Sequence, residues 1–334
     1  MNVDTRMSLK YKLSQQYSKL KSLIRFYQED IDIAVAKKQI IDLQNLNAPY
    51  FMVGIPGSVH ILKLSAKYLP DSENLILIAN GMDEWEIGKA KRLVKPRHVI
   101  SLDEKQVVPH GKVLDMLFDN FPRPFGILDY DCFVFNPACF KQMNSLEDGQ
   151  MMSTIFYQGS PMLGRTPQTF FLFFNATIIQ SLRKKYKVNC GITDFSKRLP
   201  GGAVRKLKEI GIDEHHYPEY NKPYFDTLRL IYSLGVAEGY KVNFLDHYHA
   251  DSMNNADVFH VGGVADPNTT YGWWGVRGSY FWWRALETCE DKELKSRYNE
   301  RFGNRTSQDV FRNFPEYRER TGQALLDFYE TLLV

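Results

Sequence analysis

No run of this 334-residue chain approaches the roughly 18 consecutive apolar residues that a membrane-spanning helix requires; the greasiest stretch is the short Thr169–Asn175 (TFFLFFN). Charge of one sign is equally lacking. The 42 Lys and Arg against 39 Asp and Glu leave +3, which excludes the dense basic field of a general nucleic-acid binder. Cysteine is scarce, with Cys132, Cys139, Cys190 and Cys289 scattered outside any CxxC spacing, so neither a disulfide framework nor a zinc site is indicated. The first residues, MNVDTRMSLKYKLSQQYSKL, lack the apolar stretch of a secretory signal. Repeats and low-complexity tracts are missing too. What the chain does have is core-forming material, 44% hydrophobic and 14% aromatic, which excludes wholesale disorder. The expectation is a soluble, cytoplasmic globular protein of one large domain or two modest ones.

Residues 7–28 carry Lys10, Lys12, Lys19, Lys21 and Arg25 without an acid, while Met7, Tyr11, Tyr17, Leu20, Ile24 and Tyr27 recur at helical spacing. This predicts a basic amphipathic helix. Packing on the main domain is the plain reading; peripheral contact with an anionic membrane surface is the alternative.

From Pro49 the texture changes to apolar runs alternating with helical patterns. Strands are predicted at Tyr50–Ile55, Leu75–Ala79, His98–Leu102 and Phe125–Leu128, with helices at Val59–Tyr68, from Asp83 through a capping-box-like Glu86, and at Lys112–Phe121. Such alternation implies an α/β domain with a mostly parallel sheet, whose ligands bind at the carboxyl ends of the strands. Pro56-Gly57, Asn80-Gly81 and Asp129-Tyr130-Asp131 are therefore expected to open onto one crevice. Beyond Gln150, strands are expected at Met151–Tyr157, Phe170–Phe174, Lys241–Leu245 and Val258–Val261, and helices at Ala176–Tyr186 and Phe225–Leu234. Gly262–Gly278 reads as a loop, followed by a polar helical tail.

Asp129-Tyr130-Asp131 is the sharpest chemical feature. Carboxylates one residue apart at the exit of an apolar strand make a hard-oxygen site for a divalent cation, and alternate strand residues share a face. A structural turn or salt-bridge pair is the alternative. Trp273 and Trp274, in the run YGWWGVRG, offer aromatic faces beside glycines that permit motion, a lid over a bound ligand, or else they plug the core. Arg277 is an anion partner by charge alone.

The run Val108–Pro137, VPHGKVLDMLFDNFPRPFGILDYDCFVFNP, resembles the central segment of glycosyltransferases with the GT-A fold. YFMVGIPGS and LILIANGMDE resemble the nucleotide-binding strands of that family. Tyr224–Leu245 is similar to the segment bearing an acid that faces the acceptor, and VFHVGG to the late strand whose His completes a metal site. The resemblance implies a GT-A-like, Rossmann-like nucleotide-diphospho-sugar transferase fold over residues 49–265, with a helical extension at 1–48. Residues 266–334 would then be a flexible Trp/Gly-rich loop and a C-terminal helical tail.

It implies a metal-dependent glycosyltransferase using Mn²⁺ or Mg²⁺ and a nucleoside-diphosphate sugar, a UDP-sugar first, with a glycan or glycolipid acceptor in surface polysaccharide or glycolipid synthesis. Asp129, Asp131 and His260 would hold the ion. Ile55, Pro56, Gly57, Asn80, His110, Lys112, Asp129 and Tyr130 would line the nucleotide sugar. Asp226 would be the general base, with helix capping as its plain alternative. Two departures stand out. Tyr130 occupies a place where a small residue is frequent, and Tyr224-Phe225-Asp226 supplies one acid where many inverting members carry a pair.

Rival readings are a haloacid-dehalogenase-like phosphatase with Asp129 as nucleophile and Asp131 as acid/base, and a nucleotide-sugar-binding module without turnover. A metallohydrolase using the HxHxD of Asp246–Asp251 is a further rival.

Overall fold

In the computed structural model, residues 34–69, 75–102, 106–160, 163–195, 199–218, 224–245 and 256–334 are described. The basic segment 7–28 and the HxHxD of 246–251 lie outside them.

The continuous apolar runs become strands buried on both faces, β1 (Tyr50–Gly54) and β2 (Leu75–Ala79), as expected for a sheet covered by helices on each side. With β3 (His98–Ser101) and β4 (Phe125–Asp129) they form a parallel block in the order β3-β2-β1-β4. The crossovers are α2 (Val59–Ala66), α3 (Glu84–Leu93) and α4 (His110–Asn120), while α1 (Ala34–Asp42) packs against β3 and α4. The capping box forms as read: Asp83 accepts the Glu86 N–H at 2.8 Å, and Glu86 accepts that of Asp83.

After β5 (Cys132–Val134) and α5 (Ala138–Asn144), β6 (Gln150–Ser160) and β7 (Gly164–Phe174) form an antiparallel hairpin longer than the apolar segments alone suggested. Their register shifts around Thr154–Gln158 mark an irregularity that hydropathy does not register. β7 pairs antiparallel with β4; past α6 (Ala176–Tyr186), α7 (Gly201–Lys208) and α8 (Arg229–Ala237), β8 (Lys241–Leu245) runs parallel to β6 at the sheet edge. The seven-stranded sheet is thus mostly parallel with an antiparallel portion, β3-β2-β1-β4-β7-β6-β8. β9 (Val258–His260) pairs antiparallel with β5 as a separate two-stranded sheet.

Two sequence expectations change here. The helix read from Phe225 begins only at Arg229, because Leu228 takes φ +64°, a left-handed conformation no α-helix continues through. The segment read as a loop to Gly278 is, from Trp273, the helix α9 (Trp273–Thr288). Its glycines are contacts rather than loop punctuation: a Cβ on Gly278 would stand 2.3 Å from the Gly263 carbonyl carbon.

The helices that follow, α10 (Lys292–Phe302), α11 (Ser307–Arg312), α12 (Pro315–Thr321) and α13 (Gln323–Leu332), are polar only on their outer faces. Trp282, Trp283, Tyr298 and Tyr329 are buried in the same core as β1, β2, β5 and β9, so the C-terminal helices form a wall of the sheet domain. The opposite face of the sheet is covered by α1, α4, α6, α7 and α8. No helix among the described residues is long and apolar enough to cross a membrane.

Candidate metal centre and its surroundings

β4 is buried from Phe125 to Leu128 and delivers Asp129 half-buried at its carboxyl end; the chain turns at Tyr130 and re-enters β5 with Asp131 buried. Pairing of β5 with β9 sets Cys132 opposite His260, which brings the imidazole to both carboxylates. His260 Nε2 lies 3.2 Å from Asp131 Oδ1 and 3.7 Å from Asp129 Oδ2. One ligand atom from each residue falls within 4.8 Å of the others, the single such cluster among the described residues. Asp131 is oriented by the Gly262 N–H, which donates to its Oδ2 at 2.9 Å, and the His260 ring stacks on Phe170 with centroids 4.3 Å apart.

The charges within the cluster are mutually dependent. Burial raises the Asp129 pKa, offset in part by His110 and His260, while the like charge of Asp131 raises it further. Burial also opposes ionisation of Asp131, yet the His260 charge and hydrogen bond and the Gly262 amide outweigh it, leaving that carboxyl below its usual range. Burial favours neutral His260, but Asp131 and Asp129 together draw its pKa upward. Two hard carboxylates and one imidazole, their donor atoms already converged, fit Mn²⁺ or Mg²⁺ by donor chemistry. Among the described residues, β1 and the antiparallel β7 stand beside β4, and the group that meets the two aspartates is a histidine rather than the further acidic cluster a haloacid-dehalogenase-like site calls for.

The remaining predicted residues divide into those that face this centre and those that hold the framework. Ile55 and Pro56 are half-buried past the end of β1. Gly57 turns away: at φ +85° its N–H donates to Glu86 Oε1 at 2.7 Å and its carbonyl accepts from Trp282 Nε1 at 2.9 Å. Its N–H is thus held by α3 and its carbonyl by the C-terminal wall. Glu86 itself, fully buried, also accepts from the Tyr298 hydroxyl at 2.9 Å and pairs with Arg301 at 3.1 Å.

Asn80 is likewise a bracket. Its amide donates to the Val108 carbonyl at 2.8 Å and accepts from the Val108 N–H at 2.7 Å, which fixes the approach to His110. His110 opens α4, and its Nε2 is buried without a hydrogen-bond partner among the described residues. Lys112 is half-buried in the same first turn, and Tyr130 is buried, its phenol pKa pushed up by burial and the flanking carboxylates. Asp226 accepts its neighbour's N–H, from Thr227 at 2.8 Å, in the turn that precedes α8 rather than at the N-cap, which is Leu228.

Trp273 and Trp274 occupy the first turn of α9 as a fixed wall. Trp273 Nε1 donates to Thr321 Oγ1 at 3.1 Å, and the Arg277 guanidinium lies 4.0 Å from the Trp274 ring centre. Arg277 is buried and donates to the Val261 carbonyl, so it braces the His260 segment from behind. A Cβ on Gly262 would stand 3.2 Å from the Trp274 ring and 3.5 Å from His260 Cε1, which places the partly exposed Trp274 at the rim of the cluster. The tryptophans that plug the core are Trp282 and Trp283. Sequence reasoning missed Glu86 as a hub, although its capping-box position marks it, and missed Phe170, whose stacking arises only from tertiary packing.

Residues 27–179, which include β4 and both aspartates but stop short of His260, match the StrH glycosyltransferase N-terminal domain. The dTDP-dihydrostreptose–streptidine-6-phosphate dihydrostreptosyltransferase of Streptomyces griseus is 32% identical over 175 residues, covering 50% of this chain and 43% of that protein. The chain thus spans less than half the length of that curated relative. Among solved structures, the glycosyltransferase GlyE of Streptococcus pneumoniae TIGR4 aligns at 10% identity and a TM-score of 0.38, over 77% of this chain and 64% of that one. A cytidylyltransferase from Leptospira borgpetersenii aligns at 12% identity and a TM-score of 0.37, over 82% and 96%.

Proposed function

We propose that this protein is a metal-dependent glycosyltransferase of GT-A-like architecture that moves a sugar from a nucleoside diphosphate to an acceptor hydroxyl. The observation that carries the reading is the convergence of Asp129, Asp131 and His260 at the carboxyl end of β4. The sequence match of residues 27–179 to a glycosyltransferase N-terminal domain supports it.

Asp129, Asp131 and His260 would hold Mn²⁺ or Mg²⁺, which as a Lewis acid stabilises the charge that builds on a departing diphosphate. The chain's own contributions are separable. Gly262 and Arg277 hold the His260 segment in place. His110, with an unsatisfied buried nitrogen near Asp129, offers a hydrogen bond to the donor. Trp274 presents an aromatic face to a sugar ring at the rim. Asp226 takes the acceptor hydroxyl proton as general base.

Calorimetric titration of UDP, GDP, CDP and dTDP, each with Mn²⁺ and with EDTA, tests the reading. Binding of one nucleotide that depends on the metal is expected; no binding under any condition would overturn it. Turnover of the corresponding nucleotide sugar then separates an enzyme from a binding module.

A further inference from the structure

Segments far apart in sequence meet beside the start of α4. A Cβ on Gly111 would stand 2.5 Å from Gly191 Cα and 2.8 Å from Gly191 N, so only glycine lets the 190–193 segment approach this closely. One turn along the helix, Asp115 Oδ1 accepts the Cys190 N–H at 2.9 Å and pairs with Arg183 of α6, also at 2.9 Å. The Cys190 carbonyl in turn accepts the Leu228 N–H at 2.9 Å, while Thr193 and Phe225 exchange both backbone hydrogen bonds, at 3.0 and 2.7 Å. Asp226 sits between these two anchored positions. Leu228 closes the turn at φ +64°, a conformation that strains a bulky side chain and is kept only where the surroundings impose it.

We infer that Gly111 and Asp115 form a clasp that sets where Asp226 stands relative to the end of α4 bearing His110, which makes Asp115 a positioning residue for the acceptor step. The inference rests on the glycosyltransferase reading above. A half-buried carboxylate bonded by an amide and a guanidinium makes charge-assisted contacts, roughly twice as strong as neutral ones. The 190–193 segment, and with it the 225–228 turn, is therefore tied to the same helix that opens beside Asp129.

The test compares Asp115→Ala and Asp115→Asn with the parent chain in three measurements: hydrogen exchange at the Cys190 and Leu228 amides, Mn²⁺-dependent nucleotide binding, and release of nucleoside diphosphate. The last uses UDP-, GDP-, CDP- or dTDP-glucose, as the nucleotide panel selects. In the alanine variant both amides are expected to exchange at least tenfold faster and release to fall at least tenfold, with nucleotide Kd within twofold of the parent. The asparagine variant, which keeps an acceptor oxygen, should recover most of both losses.

Parent-like exchange in a folded alanine variant overturns the clasp. Faster exchange with parent turnover overturns the positioning role, and nucleotide binding lost in step with turnover makes Asp115 a donor-site residue instead. If the alanine variant does not fold, native exchange of the parent decides. The amides of Cys190, Thr193, Phe225 and Leu228 are expected to open together within threefold, and independent opening of 190 and 228 refutes the inference. Asp226→Asn, run in parallel, separates the two readings: parent turnover there removes the base assignment, while the exchange data still judge the clasp.

Discussion

Replacing Gly278 by alanine probes the contact that seats α9 against the metal-site loop. The added Cβ would lie 2.3 Å from the Gly263 carbonyl carbon, 2.4 Å from the Gly262 oxygen and 2.5 Å from the Gly263 oxygen. All three are backbone atoms, so no rotamer change relieves the overlap, and ordinary contact begins near 3.4 Å; helix and loop must part by about 1 Å (3.4 − 2.3). Overpacking of this kind costs roughly 1–3 kcal/mol. At about 2 °C per kcal/mol for a chain of this size, Tm should fall by several degrees. The same displacement strains the Gly262 amide bond to Asp131 and the Arg277 brace on Val261, both of which orient the cluster. Loss of such outer support typically lowers metal affinity by about 10- to 100-fold.

Thermal melting and Mn²⁺ titration of Gly278→Ala measure the two effects. Gly88→Ala serves as the control: Gly88 lies exposed within α3, its added Cβ would meet nothing within 4 Å, and the change should stabilise by about 0.5–1 kcal/mol. A Gly278→Ala protein with parent Tm and parent Mn²⁺ affinity would refute the backbone contact and the reasoning built on it.

Asp131→Asn, which keeps an acceptor for the Gly262 amide but removes the charge, should lower Mn²⁺ affinity at least tenfold with little change in Tm; unchanged affinity removes the metal-site proposal. His60 is buried, with Nε2 on the Trp282 carbonyl at 3.1 Å, and burial lowers its pKa to about 4 from 6.5, the carbonyl partly opposing. The unfolded chain therefore takes up this proton first as pH falls. The contribution is intact above about pH 6.5 and is lost progressively toward pH 4, by about 3 kcal/mol in all. Urea unfolding at pH 7 and 4.5 should show that slope in the parent and a smaller one in His60→Phe; equal slopes refute it. Deleting residues 1–28 should reduce sedimentation with anionic vesicles if that segment docks to lipid, and identical sedimentation leaves only the packing role.

The elements whose signals are local could be read from the residues alone. β1 and β2 were legible because strands buried on both faces must be apolar throughout, and the start of α3 because Asp83 and Glu86 satisfy each other within one turn. Asp129 and Asp131 stood out for the same reason, since two carboxylates ending an apolar strand conflict with their immediate surroundings.

Whether those carboxylates gained a third partner was decided by β5–β9 pairing across more than a hundred residues, and hydropathy carries no register over that distance. Gly275 and Gly278 hid α9 because glycine reads locally as a helix breaker, whereas the absence of a Cβ at Gly278 lets helix and loop backbones touch. Gly57 and Asn80 sit at strand ends where ligands bind in such folds. Their polar atoms, however, are satisfied by Glu86, Trp282 and Val108, partners that only the folded chain brings within hydrogen-bonding distance. Local patterning thus sets what each segment forms; which polar groups remain available for chemistry depends on long-range contacts that satisfy all the others.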